Sequence, residues 1–126
     1  MQLDSINLFV QDLERSRQFY QQLGFSFDQP PKQGGLVGYN SQIKLGLYEL
    51  AWLTQLFGML PPSTGNALIW AIAVDDLDYT YQQLLSSGIE SLQAPAVMPW
   101  GQRVAFLRDP DGNLVELFAQ CPTRLA

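Results

Sequence analysis

The sequence predicts an α+β domain in which two tandem β-α-β-β-β modules form a curved, eight-stranded mixed sheet around a cleft, with one main helix per module on the outer face. Three observations carry this prediction. First, Ile6-Asn7-Leu8-Phe9-Val10-Gln11-Asp12-Leu13 and Trp70-Ala71-Ile72-Ala73-Val74-Asp75-Asp76-Leu77 share one pattern. Val10 and Val74, Asp12 and Asp76, Leu13 and Leu77, and Gly24 and Gly88 are all 64 positions apart, about half of the 126-residue chain. A period this long, used only twice, indicates two related modules within one domain rather than a solenoid. Second, each repeat passes from an alternating apolar stretch into a helical spacing. Third, each helix is followed by short segments broken by glycine and proline, as in a meander of strands.

Residues 5 to 10 alternate, with Ser5, Asn7 and Phe9 on one face and Ile6, Leu8 and Val10 on the other, as in a strand with one packed face. Asp12 occupies a helix N-cap position. Leu13, Ser16, Phe19, Tyr20 and Leu23 follow at three- and four-residue spacings until Gly24 provides a stop, so a helix is expected over 13–23. Phe25-Ser26-Phe27, the Pro30-Pro31 break, the Gly34-Gly35 turn, Leu36 to Tyr39 and Ile43 to Leu50 supply the remaining strands. Trp52 to Met59 is expected to form a helical turn. Pro61-Pro62-Ser63-Thr64-Gly65-Asn66 has linker composition, which divides a single domain of residues 1–126 into modules at 1–60 and 67–120.

The second module repeats the plan. A strand is expected over 67–74, then a helix over 77–87 capped by Asp76, striped by Leu77, Tyr81, Leu84 and Leu85 and ended by Gly88. A short strand around Ile89 to Leu92 and strands over 103–107 and 114–119 follow, the last two joined by Asp109-Pro110-Asp111-Gly112-Asn113. That segment is a turn because proline presets one dihedral and the glycine and asparagine tolerate positive φ. One helix covers one face of each module's sheet. The other faces are expected to leave a cleft lined by Ser5, Asn7, Phe9, Ala71, Ala73 and their strand neighbours.

Composition narrows the function. With 47% apolar and 12% aromatic residues, the chain is expected to bury roughly two thirds of its unfolded surface. The single cysteine, Cys121, cannot form an intramolecular disulfide, and a cytoplasmic setting is expected. Cys121 has no histidine in the chain to serve as its base, so it is assigned no role. The N-terminus has no basic segment leading into an apolar one, and no apolar run approaches the roughly 20 residues that cross a bilayer, so neither secretion nor membrane insertion is expected. Twelve acidic against seven basic side chains give a net charge of −5, which repels phosphate backbones and excludes nucleic acid as a partner. The same acidity reads either as ordinary solubility or as a preference for cationic ligands.

Three stretches resemble the vicinal oxygen chelate superfamily, which includes glyoxalase I, extradiol dioxygenases, and the fosfomycin and bleomycin resistance proteins. They are Val10-Gln11-Asp12-Leu13-Glu14-Arg15-Ser16-Arg17-Gln18-Phe19-Tyr20 leading to Leu23-Gly24-Phe25, Val74-Asp75-Asp76-Leu77-Asp78, and Phe106-Leu107-Arg108-Asp109-Pro110-Asp111-Gly112-Asn113-Leu114-Val115-Glu116-Leu117. The resemblance covers nearly the whole chain in order. It implies that metal-dependent members carry one ligand, usually histidine, near the start of each module's first strand and a glutamate on each module's last strand. By position these fall at Ser5 and Ile69, at Glu116, and in the first module at Glu49, or at Leu47 after a two-residue slip.

A chain without histidine offers this arrangement two carboxylates, a hydroxyl and the Asn7 amide. Such donors suit Mg²⁺ or Ca²⁺ weakly and are poor for Zn²⁺, Ni²⁺ or Fe²⁺, so no metal or other cofactor is expected. Extradiol oxygenation, which needs two histidines and a carboxylate on iron, is excluded. The expected ligand-binding residues are Ser5, Asn7, Phe9, Tyr48, Glu49, Trp52, Trp100, Phe106, Glu116 and Phe118. Glu116 reads equally as a functional carboxylate and as a solvated strand residue. Most of the aromatic side chains read as core, whereas Trp100 lies in a loop suited to a ligand wall.

Three functions remain open. One is a metal-independent small-molecule binding protein of the bleomycin-resistance kind, taking a planar or cationic ligand and expected to form a homodimer. Another is a glyoxalase-type lyase or isomerase with Glu116 as general base, with or without a weakly held divalent ion. The third is a scaffold whose cleft has become filled core.

Overall fold

The chain's structure, a computed structural model, describes residues 4–32, 34–57 and 69–119. The chain divides into two compact units, Met1–Ser63 and Thr64–Ala126. Unit 1 contains β1 (Ile6–Val10), α1 (Leu13–Gln22), β2 (Gly35–Asn40), β3 (Ile43–Glu49) and α2 (Leu50–Phe57). Unit 2 contains β4 (Ile69–Val74), α3 (Leu77–Ser86), β5 (Ser91–Val97), β6 (Arg103–Arg108) and β7 (Leu114–Ala119). The expected linker at 61–66, the first residues of the strand expected over 67–74 and Cys121 lie outside the described residues.

The two units share one topology. In unit 1 the sheet order is β1-β3-β2, with β1 parallel and β2 antiparallel to β3. In unit 2 the order is β4-β7-β6-β5, again with the first strand parallel to the last. This mixed pairing, with one crossover helix per unit, is the α+β plan read from the repeat.

Seven strands are formed among the described residues, and the eighth is reduced to one bridge. Ser26 exchanges backbone bonds of 2.9 and 3.0 Å with Tyr39 on the outer edge of β2, the place that β5 takes in unit 2. The ladder ends there because Pro30 and Pro31, which follow closely, carry no N–H. In unit 2 the edge strand instead runs to Val97, past the Leu92 end expected from sequence. Pro95 is accommodated because the β5–β6 register shifts between Gln93 and Ala96, so a residue without a donor falls at an irregularity on an edge strand.

The helices start and stop by the same device. The Asp12 carboxylate accepts from Arg15 N at 3.0 Å, and the Asp76 carboxylate accepts from Tyr79 N at 3.0 Å, each satisfying a donor of the first turn. At the other ends Gly24 and Gly88 take φ of 96° and 88°. These left-handed residues let Phe25 N reach Tyr20 O at 3.0 Å and Ile89 N reach Leu84 O at 3.2 Å. The short helical turn expected over 52–59 is a helix that begins earlier, at Leu50.

Each helix covers one face of its own sheet. In unit 1, Leu8, Val10, Leu36, Leu45 and Leu47 are buried with Phe19, Tyr20 and Leu23 of the α1 side. In unit 2, Ala105, Leu107, Val115 and Leu117 are buried with Leu77, Tyr81 and Leu84 of α3. Because side chains alternate along a strand, the opposite face of each sheet is left free of its helix.

Candidate functional site

In unit 1 the face turned away from α1 carries Asn7 and Phe9 of β1, Lys44, Gly46 and Tyr48 of β3, and Val37 and Tyr39 of β2. Phe9 is 48% exposed and Tyr39 49%. In unit 2 the corresponding face carries Ile69, Ala71 and Ala73 of β4, Glu116 and Phe118 of β7, and Phe106 of β6. Ile69 is 51% exposed, so a large apolar residue faces outward at the start of β4.

The pairings make the two faces directly comparable. Glu116 lies opposite Ala71 on one side and Phe106 on the other. In unit 1 the residue between the equivalent partners, Asn7 and Val37, is Gly46. Gly46 is therefore the counterpart of Glu116, and the expectation of Glu49, or of Leu47 after a slip, is corrected. Glu49 pairs with Val10 and shares its strand face with Leu45 and Leu47, the face turned to the helix. The apparent match of Leu47-Tyr48-Glu49-Leu50 to Leu114-Val115-Glu116-Leu117 differs from the true register by three residues. An odd slip moves every side chain to the other face.

The glycine position is also covered. A Cβ built on Gly46 would stand 2.1 Å from Asn7 Oδ1 and 2.8 Å from Tyr48 Cε2, so the Asn7 amide and the Tyr48 ring occupy the space where a glutamate side chain would begin. Asn7 Nδ2 in turn donates to Ser5 Oγ at 3.4 Å. The positions that the resemblance assigns to metal ligands thus hold Ser5, Gly46, Ile69 and Glu116, one hydroxyl and one carboxylate in all. Such a donor set does not fit Zn²⁺, Ni²⁺ or Fe²⁺. Among the described residues no three His, Cys, Asp or Glu side chains gather in a metal-binding group.

Tyr48 and Trp52 form an aromatic shelf in unit 1. Their ring centroids are 6.3 Å apart and their planes differ by 26°. Glycine makes this possible: a Cβ on Gly35 would lie 2.5 Å from Tyr48 Cε1, and one on Gly34, whose φ is 70°, would lie 2.6 Å from the Trp52 side chain. The turn carrying these glycines is fixed by Lys32 N to Gly35 O at 2.8 Å, by Gly35 N to Lys32 O at 2.9 Å, and by Glu49 N to Gly34 O at 2.8 Å. A pocket of about 370 Å³ adjoins the shelf, lined by Gln29, Pro30, Lys32, Val37, Tyr48 and Trp52. A second pocket of about 370 Å³ shares Gln29 and Val37 and adds Asp28, Tyr39 and Lys44. Lys44 Nζ donates to Asp4 Oδ2 at 3.2 Å, and this bond holds the ammonium pKa above its ordinary value.

In unit 2 the expected residues Phe106, Glu116 and Phe118 share one sheet face. Among the described residues the Glu116 carboxylate has no hydrogen-bond or ion-pair partner, and it is half-buried between Ala71 and Phe106. Trp100 lies in the turn between β5 and β6, 63% exposed, with its indole N–H donating to Gln102 Oε1 at 3.3 Å. Sequence reasoning named Tyr48 and Trp52 but missed Gln29, Pro30, Lys32 and Val37. The available signal was three glycines, at 34, 35 and 46, in and beside strands, which mark close approach to a backbone.

Residues 2–117 match the family model described as the Glyoxalase/Bleomycin resistance protein/Dioxygenase superfamily. The chain is 29% identical over 126 residues to the uncharacterized protein YraH of Bacillus subtilis (strain 168), covering 94% of this chain and 98% of that one. The structure resembles hypothetical protein SA1046 of S. aureus with a TM-score of 0.82 and 25% identity, over 95% of each chain. It also resembles a bleomycin-binding protein complexed with bleomycin, with a TM-score of 0.64 and 25% identity, over 96% of this chain and all (100%) of that one.

Proposed function

From the premise that the chain belongs to the Glyoxalase/Bleomycin resistance protein/Dioxygenase superfamily, we propose that it is a metal-independent small-molecule binding protein whose ligand is planar or cationic. One observation carries the reading: Gly46 stands at the counterpart of Glu116, with the Asn7 amide and the Tyr48 ring lying over it. A position that relatives give to a metal ligand is used here for aromatic packing beside a pocket. Rings present flat apolar area for stacking, and Glu116 supplies a carboxylate for a cationic group on the helix-free face of unit 2. The bleomycin-binding relative, solved with its ligand, supports capture of a small molecule on this fold.

Titration of planar neutral and planar cationic compounds against the fluorescence of the three tryptophans tests the reading. A saturable response is expected. Silence across the panel, checked by calorimetry, refutes it.

The second reading is a glyoxalase-type lyase or isomerase. It is favoured by the half-buried Glu116 carboxylate, unpartnered among the described residues and available to take a proton from a carbon next to a carbonyl and return it. Turnover of a carbonyl substrate by wild type and not by Glu116→Gln would move the assignment to this reading.

The protein is further proposed to be a cytoplasmic homodimer. β1 and β4 are edge strands of their sheets among the described residues, and each presents an exposed apolar side chain, Phe9 and Ile69. Open edges with apolar neighbours favour pairing with a second copy. Light scattering behind gel filtration checks the stoichiometry, and a monomer at micromolar concentration contradicts it. A single cysteine accords with a reducing compartment.

A further inference from the structure

We infer that, within the small-molecule-binding role proposed above and resting on it, the unit 1 pocket selects a flat aromatic acid: a ring system lying against Tyr48 and Trp52 with its carboxylate directed to Lys32. Three observations within unit 1 converge on this ligand class.

Shape comes first. The Tyr48 and Trp52 rings stack with their planes 26° apart, and both line the pocket, so its wall offers ring surface to a flat ligand. Side chains at 34, 35 or 46 would push these rings off the backbone, and glycine stands at all three positions. A volume of about 370 Å³ lies near the lower end of the range for small-molecule sites, and suits one or two fused rings better than an extended ligand.

Charge comes second. Although the chain as a whole is acidic, Lys32 is the charged side chain lining this pocket among the described residues. Its ammonium has no ion-pair partner among them. In the adjoining pocket Lys44 is already paired with Asp4 and Asp28 adds an acid, so the attraction for an anion is confined to the lining beside Lys32. An anion is therefore attracted locally against the sign of the net charge, because exposed charges more than about 10 Å away are screened at ordinary ionic strength.

Hydrogen bonding comes third. Gln29 lines the same pocket and contributes an amide that donates as well as accepts. Lys32 and Gln29 together match a carboxylate, whereas a cationic ligand would meet like charge from Lys32 and no carboxylate on this lining.

Calorimetric titration of the full-length protein with 2-naphthoate, 2-naphthamide and 2-naphthylmethylammonium tests the inference. The carboxylate is expected to bind about fivefold more tightly than the amide, a factor typical of one partly exposed charge pair, and the ammonium more weakly than either. Lys32→Gln is expected to bring the carboxylate to the amide's affinity and leave the amide unchanged. Trp52→Leu is expected to weaken all three, with circular dichroism verifying the fold. If that variant does not fold, Trp52→Phe, which keeps a ring on the shelf, is expected to retain the charge preference. Ammonium binding as tight as carboxylate binding, or carboxylate binding unmoved by Lys32→Gln, overturns the inference and leaves the small-molecule role standing. No heat from any of the three probes counts against both.

Discussion

Replacing Gly46 with alanine tests the correspondence between Gly46 and Glu116 through stability alone. Gly46 has no positive φ, so its backbone accepts alanine, and in open surroundings the change would stabilise the strand by roughly 0.5–1 kcal/mol through lost unfolded-state entropy. The surroundings are not open. The new Cβ would meet Asn7 Oδ1 at 2.1 Å and Tyr48 Cε2 at 2.8 Å. The asparagine amide can swing away at little cost, since its bond to Ser5 is weak at 3.4 Å. The tyrosine ring is held by Trp52 and by the backbone at Gly35, and must move by several tenths of an ångström. Overpacking of this kind costs about 1–3 kcal/mol, so the net effect is a loss of about 1 kcal/mol and a fall in melting temperature of about 4 °C.

The opposite sign is expected once the obstacles are removed. In an Asn7→Ala, Tyr48→Ala background, Gly46→Ala should stabilise by about 0.5 kcal/mol. Urea denaturation of the four proteins measures both values as a thermodynamic cycle. Agreement of the two Gly46→Ala effects to within about 0.3 kcal/mol would show that Asn7 and Tyr48 do not lie over Gly46, and the reasoning about a covered position would fall.

The helix caps give a matched pair of predictions: Asp12→Ala and Asp76→Ala should each lower stability by about 1 kcal/mol in urea denaturation, and Asn at either position should restore most of it. The exposed Asp78–Arg103 pair, joined by two bonds of 2.9 Å, holds the Asp78 carboxyl below its ordinary pKa of 3.8 through the hydrogen bonds from Arg103. A lowered folded-state pKa contributes stability that is complete above the unfolded value and is lost as pH falls through the folded one. The melting temperatures of wild type and Arg103→Gln should accordingly differ slightly above pH 4 and converge in stronger acid, and a gap that widens on acidification contradicts the pairing. Glu116→Gln should weaken a planar cationic probe by a few-fold while leaving a neutral isostere unchanged. The same variant separates the two functional readings, because loss of a general base would lower any turnover about a hundredfold or more.

Local chemistry made much of the fold legible. Asp12 and Asp76 begin helices because a short carboxylate satisfies first-turn donors, and Gly24 and Gly88 end them because the next backbone turn needs positive φ. Both are decided within a few residues, so α1 and α3 were readable to within one residue. The strand faces of β1 and β7 were readable from alternation. The register of β3 was not, because it is set by partners nearly forty residues away in β1, and the local likeness of Leu47-Tyr48-Glu49-Leu50 to Leu114-Val115-Glu116-Leu117 pointed to the wrong face. The eighth strand shrank to the Ser26–Tyr39 bridge, and β5 outran its expected end, because what a proline does in a sheet depends on its neighbours' pairing. The unit 1 pocket was half-readable. Its rings were named, while Lys32 and Gln29 entered only when the turn at Gly34 and Gly35 brought them beside Tyr48 and Trp52.

Capture of a small molecule without a metal is the central claim. The most direct measurement is elemental analysis of the purified protein, joined to calorimetric titration of a planar aromatic ligand before and after exhaustive treatment with a chelator. Transition metal far below one equivalent per chain, with the same affinity on both sides of the treatment, is the result predicted by a donor set of one hydroxyl and one carboxylate. A stoichiometric, tightly held metal whose removal abolishes binding would contradict it.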